Sequence, residues 1–454
     1  MSARRAPTAV ALRQQLGPYV VSICASLAIA VATVHSPKLS FLALGAAGAV
    51  LFASLRPRAA LIATIALMAL PYTWTPQVAS LGGDATVLGP LLLGLTALPR
   101  LQGFRFSKFD LPVAVFAFAP AVVSFAEGAP FHIVQLINPE VAVPYFGFRV
   151  FLAATPEAFD VLPAVITWVG TAAAAIGIFE FLVGKNPVAG LYGDPAVLAQ
   201  WDQPLHRSGH LRAASTFGQP IAFGAFLLIP LAFALTRPGK AYLFAVALLL
   251  AGEAVTLSRG PIIGAVVLVV LLRWGKTARR RTFAVATAGT LAALFLSPLR
   301  RLVTDTGRTQ TEAGVNADYR LNLLHAAIHE VSVFGHPFSD LAKAIPNMPD
   351  LASLLVFTIV SRGALGLVAL GLFAVFAVST FLRRRDGMSA ALLAELVTLM
   401  TTTLITNYEL FFWLLAAMVA TITATERARA RVDTAPLGRP VRSDAVQDPS
   451  PATA

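Results

Sequence analysis

Apolar residues run along this chain in long blocks, and short connecting stretches hold most of the charge. A helix crosses a ~30 Å hydrocarbon core with about 20 mostly apolar residues. Blocks of roughly that order lie at 18–35, 40–55, 59–76, 84–98, 111–127, 140–155, 160–184, 219–236, 241–258, 260–273, 282–298, 353–382, 388–406 and 409–425. Backbone groups in lipid must find partners within the chain, so each block is expected to be a helix. No period-2 alternation of the kind a membrane barrel requires is visible. The pattern therefore predicts an all-α, polytopic transmembrane helix bundle of about 12–14 spans.

Composition agrees. Of 454 residues, 57% are hydrophobic and 13% are charged, against about 25% charged in soluble domains. A chain this apolar cannot cover itself with polar surface. The net charge of +12 would point to nucleic acid on a soluble protein. Here the basic residues sit in short loops and read as topology signals and contacts to anionic membrane lipids, so no nucleic-acid partner is expected. Cys24 is the single cysteine, which excludes an intrachain disulfide and a thiolate zinc site. No phosphate-binding G-x-x-x-x-G-K-[ST] loop and no metal-spaced His/Asp/Glu cluster occurs, so no cofactor or metal is expected.

The basic clusters fix an orientation. They comprise Arg4, Arg5 and Arg13; Arg56 and Arg58; Arg100, Arg105 and Lys108; Arg237 and Lys240; Arg273 through Arg281; Arg383, Arg384 and Arg385; and Arg427, Arg429 and Arg431. All fall on one side if the spans alternate as given, which places both termini in the cytoplasm. Residues 1–17 then form a basic cytoplasmic segment leading into a retained first helix. The polar residues from 432 to 454 form a disordered cytoplasmic tail. Two longer segments, 185–218 and 299–352, lie on the external side. The second contains a helical stretch, Ala317–Val331, with Leu321, Leu324 and Ile328 at helical spacing.

Against the positive-inside bias, several arginines fall on the external side or inside the apolar blocks. Arg212 precedes the eighth span, Arg259 sits at the Gly-Pro turn between the ninth and tenth, and Arg320 lies in the second large loop. Arg149 and Arg362 lie within blocks. Buried charges are costly and usually face an interior cavity, and the planar guanidinium fork suits phosphate. One reading is a cationic external pocket for a phosphorylated lipid. The other makes Arg212 and Arg320 ordinary loop charges and pairs Arg149 and Arg362 with acids to hold helices together. Glu253, six residues before Arg259, is read as that arginine's partner, with an ion or proton site as the alternative.

The motifs around these residues resemble a known family. Arg212-Ala-Ala-Ser-Thr-Phe-Gly-Gln-Pro is similar to the R-x-x-G-x-F-x-x-P element of the O-antigen ligase and polymerase superfamily. Val255-Thr-Leu-Ser-Arg-Gly is similar to its T-x-S-R-G element. Tyr319-Arg320, Phe334-Gly335 and then Arg362-Gly363-Ala364-Leu365-Gly366-Leu367 resemble its large external loop and following G-x-x-G-L span. The resemblance implies a GT-C-like membrane fold and metal-independent, inverting glycosyl transfer at the external face of a bacterial inner membrane. The donor would be an undecaprenyl-pyrophosphate-linked saccharide and the acceptor a glycan or lipid. Arg212, Arg259 and Arg320, with Arg149 and Arg362, would hold the pyrophosphate. The family usually carries a histidine before the G-x-x-G-L glycine; here that region reads Asn347-Met-Pro-Asp350-Leu-Ala-Ser353. Asp350 and His336 are the candidates to take the acceptor proton, with His325 and His329 on the loop helix behind them. The rival expectations are a transporter or flippase for an anionic solute or lipid-linked sugar, and a non-catalytic scaffold in polysaccharide export.

Overall fold

The computed structural model describes residues 48–70, 77–78, 83–102, 104–126, 139–187, 205–207, 210–275, 312–329, 331–336, 353–400, 402 and 408–433. The predicted spans 18–35 and 282–298 lie outside these residues, as do the N-terminal basic segment and the tail from 434. What is described is all-α apart from two short ribbons. After a helical stretch at 48–55 come α1 (Pro57–Met68), α2 (Leu88–Ala97), α3 (Asp110–Ala126), α4 (Pro139–Ala154), α5 (Ala158–Val183) and α6 (Pro220–Thr236). Then follow α7 (Lys240–Val255), α8 (Arg259–Trp274), α9 (Glu312–His329), α10 (Leu354–Arg384), α11 (Gly387–Leu399) and α12 (Tyr408–Asp433). The ribbons pair β1 (Gln77–Val78) with β2 (Gly83–Asp84), and β3 (His206–Arg207) with β4 (His210–Leu211), both antiparallel.

The helix boundaries follow local chemistry. Pro57, Pro139 and Pro220 open their helices, where a missing N–H costs nothing. Ser353 and Asp386 cap α10 and α11 by accepting from Val356 N at 3.2 Å and Ser389 N at 2.8 Å. Every predicted span that falls on described residues has its helix, and the loop helix expected over 317–331 is α9. Three helices, Ala158–Val183, Leu354–Arg384 and Tyr408–Ala428, are long and apolar enough to cross a membrane.

α6 is the axis of the bundle. It is apolar all round and buried from Ala222 through Leu235, enclosed by α5, α7, α8, α11 and α12. The surrounding helices turn large apolar side chains outward, among them Phe179, Leu182, Phe244 and Val270. Where outward faces meet lipid tails, association rests on close packing rather than on removing apolar surface from water. Small residues allow that approach: a Cβ at Gly147 of α4 would stand 2.4 Å from Pro90 O of α2.

The expected span 353–382 is not one straight helix. At Gly363 the backbone has φ 59 and ψ −154, a combination open essentially to glycine alone. Thr358 and Arg362 pack against Gly366, and Leu354 shares one apolar crevice with Ala369, Leu370 and Phe373. The first arm, 354–362, therefore folds back beside the second, 364–384, which is ~31 Å long by itself. A strap, residues 331–336, replaces the hydrogen bonds lost at the turn. His336 N donates to Val360 O at 2.8 Å, Ala364 N to Ser332 O at 2.9 Å, and Leu365 N to Val333 O at 3.0 Å. Hydropathy is blind to such a turn because both arms are apolar.

Candidate functional site

The segment after β4 is drawn into the bundle. Arg212 N donates to Leu205 O at 2.8 Å and Ala213 N to Val255 O at 3.1 Å. Glu180, in the last turn of α5 and buried, accepts from Ser215 N at 2.7 Å and Ala214 N at 3.1 Å. Ser215 Oγ donates to Ala173 O at 2.7 Å, and Asn186 Nδ2 donates to Ser215 O at 2.7 Å. Phe217 is fully buried and stacks on Phe226 with ring centroids 4.5 Å apart. The motif read from the sequence is thus a plug, pinned by one carboxylate and one aromatic ring, that ends where Pro220 starts α6.

Arg212 reaches from this plug to the α7–α8 hairpin. Its Nε donates to Thr256 O at 3.2 Å and its Nη2 to Ser258 Oγ at 2.8 Å. Ser258 stands at the N-cap of α8 but does not cap it; its hydroxyl donates to Thr256 O at 3.1 Å instead. Arg259 is the first residue of α8, and its Nε is buried without a hydrogen-bond partner. Arg212 therefore reaches the uncapped start of a helix whose first residue is Arg259, a place where free N–H groups and the helix dipole both favour an anion. The backbone is strained on both sides. Ser215 (φ 51) and Leu257 (φ 48) are two of the three non-glycine residues with positive φ among those described. Such outliers persist only where the surroundings enforce them, and they gather at functional sites.

The other predicted residues lie elsewhere. α12 joins the two ends of the bundle: Phe411 touches Phe217 at one end, while Thr421, ~15 Å further on, meets Arg149 at the other. Arg149 does not belong to the anion site, which corrects that expectation. It is 1% exposed, 3.3 Å from Asp110 Oδ1, and donates to Thr421 Oγ1 at 3.2 Å and Arg105 O at 2.5 Å. Tyr145 donates to the same carboxylate at 2.7 Å. This is the helix-pairing alternative. Arg362, also 1% exposed, donates to Phe116 O at 2.8 Å and Ser361 Oγ at 3.1 Å, between the rings of Phe116 and Phe357. These partners are all on α3 and α10, so Arg362 braces the folded-back arm.

Arg320 lies on α9, one turn before Leu323. Leu323 and Ala327 pack on Val356, Ile359 and Val360 of the first arm of α10. His336 ends the strap over the α10 turn and is half-buried, while His325 and His329 are exposed. Asp350 lies outside the described residues. The pairing of Glu253 with Arg259 is also corrected: both carboxyl oxygens of Glu253 are buried without a hydrogen-bond partner, and no ion pair joins the two residues. The Leu257 turn separates them, so six positions in sequence do not share a helix face. Sequence reasoning passed over Glu180, although an acid inside an apolar span is the same signal that singled out Glu253.

No family model matches the sequence, and a search of the curated proteins finds no match. The resemblance to the ligase and polymerase superfamily rests on the motif residues themselves.

Proposed function

We propose that this chain is a multi-pass protein of a bacterial inner membrane that transfers a saccharide from an undecaprenyl-pyrophosphate carrier to a glycan or lipid acceptor at the external face, in surface polysaccharide biosynthesis. The observation that carries this is the hydrogen bond from Arg212 to Ser258 at the uncapped start of α8, where Arg259 is the first residue. The orientation is supported by the opposite end, where Lys108 feels the charges of Arg427 and Arg383. Basic residues gathered at one end mark it as cytoplasmic, which leaves the arginine site facing outward.

In this mechanism the glycosidic bond breaks as the acceptor hydroxyl attacks, and negative charge grows on the departing pyrophosphate. Guanidinium groups fixed before the reaction stabilise that charge at no reorganisation cost. Arg212 is held in place by Thr256 and Ser258, and Arg259 by its position at the first turn of α8. Arg320 is assigned to the same diphosphate from the loop helix. The acceptor proton goes to His336 or Asp350, both assigned on the motif resemblance. No metal or cofactor enters the scheme.

The test is purified protein in proteoliposomes with a polyprenyl-pyrophosphate saccharide and no nucleotide. Transfer should release the carrier pyrophosphate. Arg259→Lys should lower kcat/KM about 10- to 100-fold, because ammonium replaces a two-pronged grip with a point charge and a charged hydrogen bond is worth ~1.5–3 kcal/mol. Wild-type turnover in Arg259→Lys would remove the assignment. A second reading, a carrier for an anionic solute or lipid-linked sugar, is favoured by the unpaired Glu253 inside the bundle. Movement of donor across the bilayer without any transfer would select it.

A further inference from the structure

Between α7 and α11 the bundle encloses two carboxyl groups without the donors that carboxylates need. Glu253, in the last turn of α7, is 4% exposed, and Glu395, on α11, is 0% exposed. Both oxygens of Glu253 and Oε1 of Glu395 meet no hydrogen-bond partner. The fourth oxygen, Glu395 Oε2, accepts from Tyr408 Oη at 2.5 Å. The surroundings bring the two acids together. Glu253 Oε1 lies 3.3 Å from where a Cβ on Gly224 of α6 would stand, and Pro261 of α8 closes on the same glycine. α8 rests on α11 where Gly264 meets Thr398 and Ala394, the neighbour of Glu395. Glu253 is thus set against α6 and the first turn of α8, and α8 rests in turn on the stretch of α11 that carries Glu395.

Among the described residues no cation pairs with either acid. α5 and α6 place Ala174 and Leu227 around Gly252, beside Glu253. Glu180 of α5 is turned to the backbone of the plug, and Arg259 makes no ion pair with Glu253. Among the described residues the titratable neighbours are thus Glu395 and Tyr408. An enclosed carboxylate without partners is among the costliest arrangements a bundle can hold, and a second acid beside it adds repulsion. A positive charge from solution removes both costs. Three oxygens from two acids fall short of the six to eight that Ca²⁺ takes or the octahedral set of Mg²⁺. Among the described residues no group of three His, Cys, Asp or Glu could hold such an ion.

We propose that Glu253 and Glu395 form a binding site for a monovalent cation, an alkali ion or a proton, enclosed between α7 and α11 beneath the arginine hairpin. Gly224 leaves the room beside Glu253, and Tyr408 holds Glu395 in place. The site needs neither the glycan donor nor the arginines.

The test uses the full-length wild-type protein in detergent and a hydrophobic carbodiimide, which modifies enclosed, protonated carboxyl groups, with the modified peptide read by mass spectrometry. Glu253 should be labelled in N-methylglucamine chloride. If the cation is sodium, NaCl at ten times its Kd should slow labelling about elevenfold and raise Tm, and the rise should vanish in Glu253→Gln and in Glu395→Gln. If the cation is the proton, NaCl should have no effect, and labelling should fall with rising pH along a single titration that Glu395→Gln displaces. Labelling indifferent to sodium and to pH, or absent at both residues under every condition, overturns the site.

Discussion

The folded-back arm of α10 makes a quantitative prediction for Gly363→Ala. Alanine at φ 59, ψ −154 enters a region that costs about 1–3 kcal/mol. Its Cβ would also stand 2.3 Å from Ser332 O and 2.4 Å from Gly335 N, so the strap must withdraw. Withdrawal breaks the three backbone hydrogen bonds between strap and helix, each worth about 0.5–1.5 kcal/mol net. The expected loss is about 2.5–7.5 kcal/mol, a large share of a typical folding free energy of about 5–15 kcal/mol. At about 2 °C per kcal/mol for a large domain, Tm should fall by roughly 5–15 °C. Tryptophan fluorescence during thermal unfolding in detergent measures it, and limited proteolysis should open first at residues 331–336. Gly371→Ala is the internal control. It lies on the second arm of the same helix with nothing within 4 Å of the new methyl, so it should be neutral or slightly stabilising. Equal Tm values for the two variants would refute the folded-back turn and the strap together.

Three further outcomes follow from the two ends of the bundle. Arg149→Met should destabilise by about 3–5 kcal/mol in chemical unfolding, because it leaves Asp110 enclosed without its cation. Donor affinity should remain unchanged, since the pair is at the opposite end from Arg212; a donor-binding loss matching that of Arg259→Lys would contradict this. Glu180→Ala should raise KM for the donor about tenfold by releasing the Ala214 and Ser215 N–H groups that position Arg212; Glu180→Gln, which keeps an acceptor oxygen, should largely restore it. Lys108 is lowered to about 8 from 10.5, first by burial and then by the charges of Arg427 and Arg383. Its amine should therefore react with an acylating reagent with a midpoint near pH 8, read by peptide mass spectrometry. As its folded value lies below its unfolded one, this lysine costs stability below about pH 8, and the cost disappears as pH rises toward 10.5. A reaction midpoint near 10 would remove the perturbation.

How much of this was legible in the sequence depends on the range of each interaction. The helices were, because a block of apolar residues states its own conformation in lipid; α6 and α8 begin and end within two residues of the blocks that predict them. The folded-back arm was not, since it depends on one glycine and on a strap some thirty positions away. Arg149 could be placed inside a span but not assigned, because its partner Asp110 is 39 positions earlier. Glu253 was assigned by proximity along the chain, and the left-handed turn at Leu257 defeats proximity. Arg212 and Arg259 stand out in the sequence against the positive-inside bias, yet that Arg212 reaches Ser258, the neighbour of Arg259, follows only once the plug is pinned by Glu180.

An arginine in an apolar block can be a brace or a ligand, and burial does not separate the two. Arg149 and Arg362 are the most deeply buried arginines among the described residues, and each donates to groups of its own chain. The inventory of partners does separate them. Among the described residues, the charged side chains with a buried, unpartnered atom are Glu253, Arg259 and Glu395, on α7, at the start of α8 and on α11. Two non-glycine residues with positive φ flank the hairpin above them. A bundle selected for stability alone would relieve such costs; at the other end the Asp110 and Arg149 charges are paired. Strain and unmet polar groups are what a site for charged ligands requires, and both proposed sites use them: one for an anion at the hairpin of Arg212 and Arg259, and one for a cation at Glu253 and Glu395.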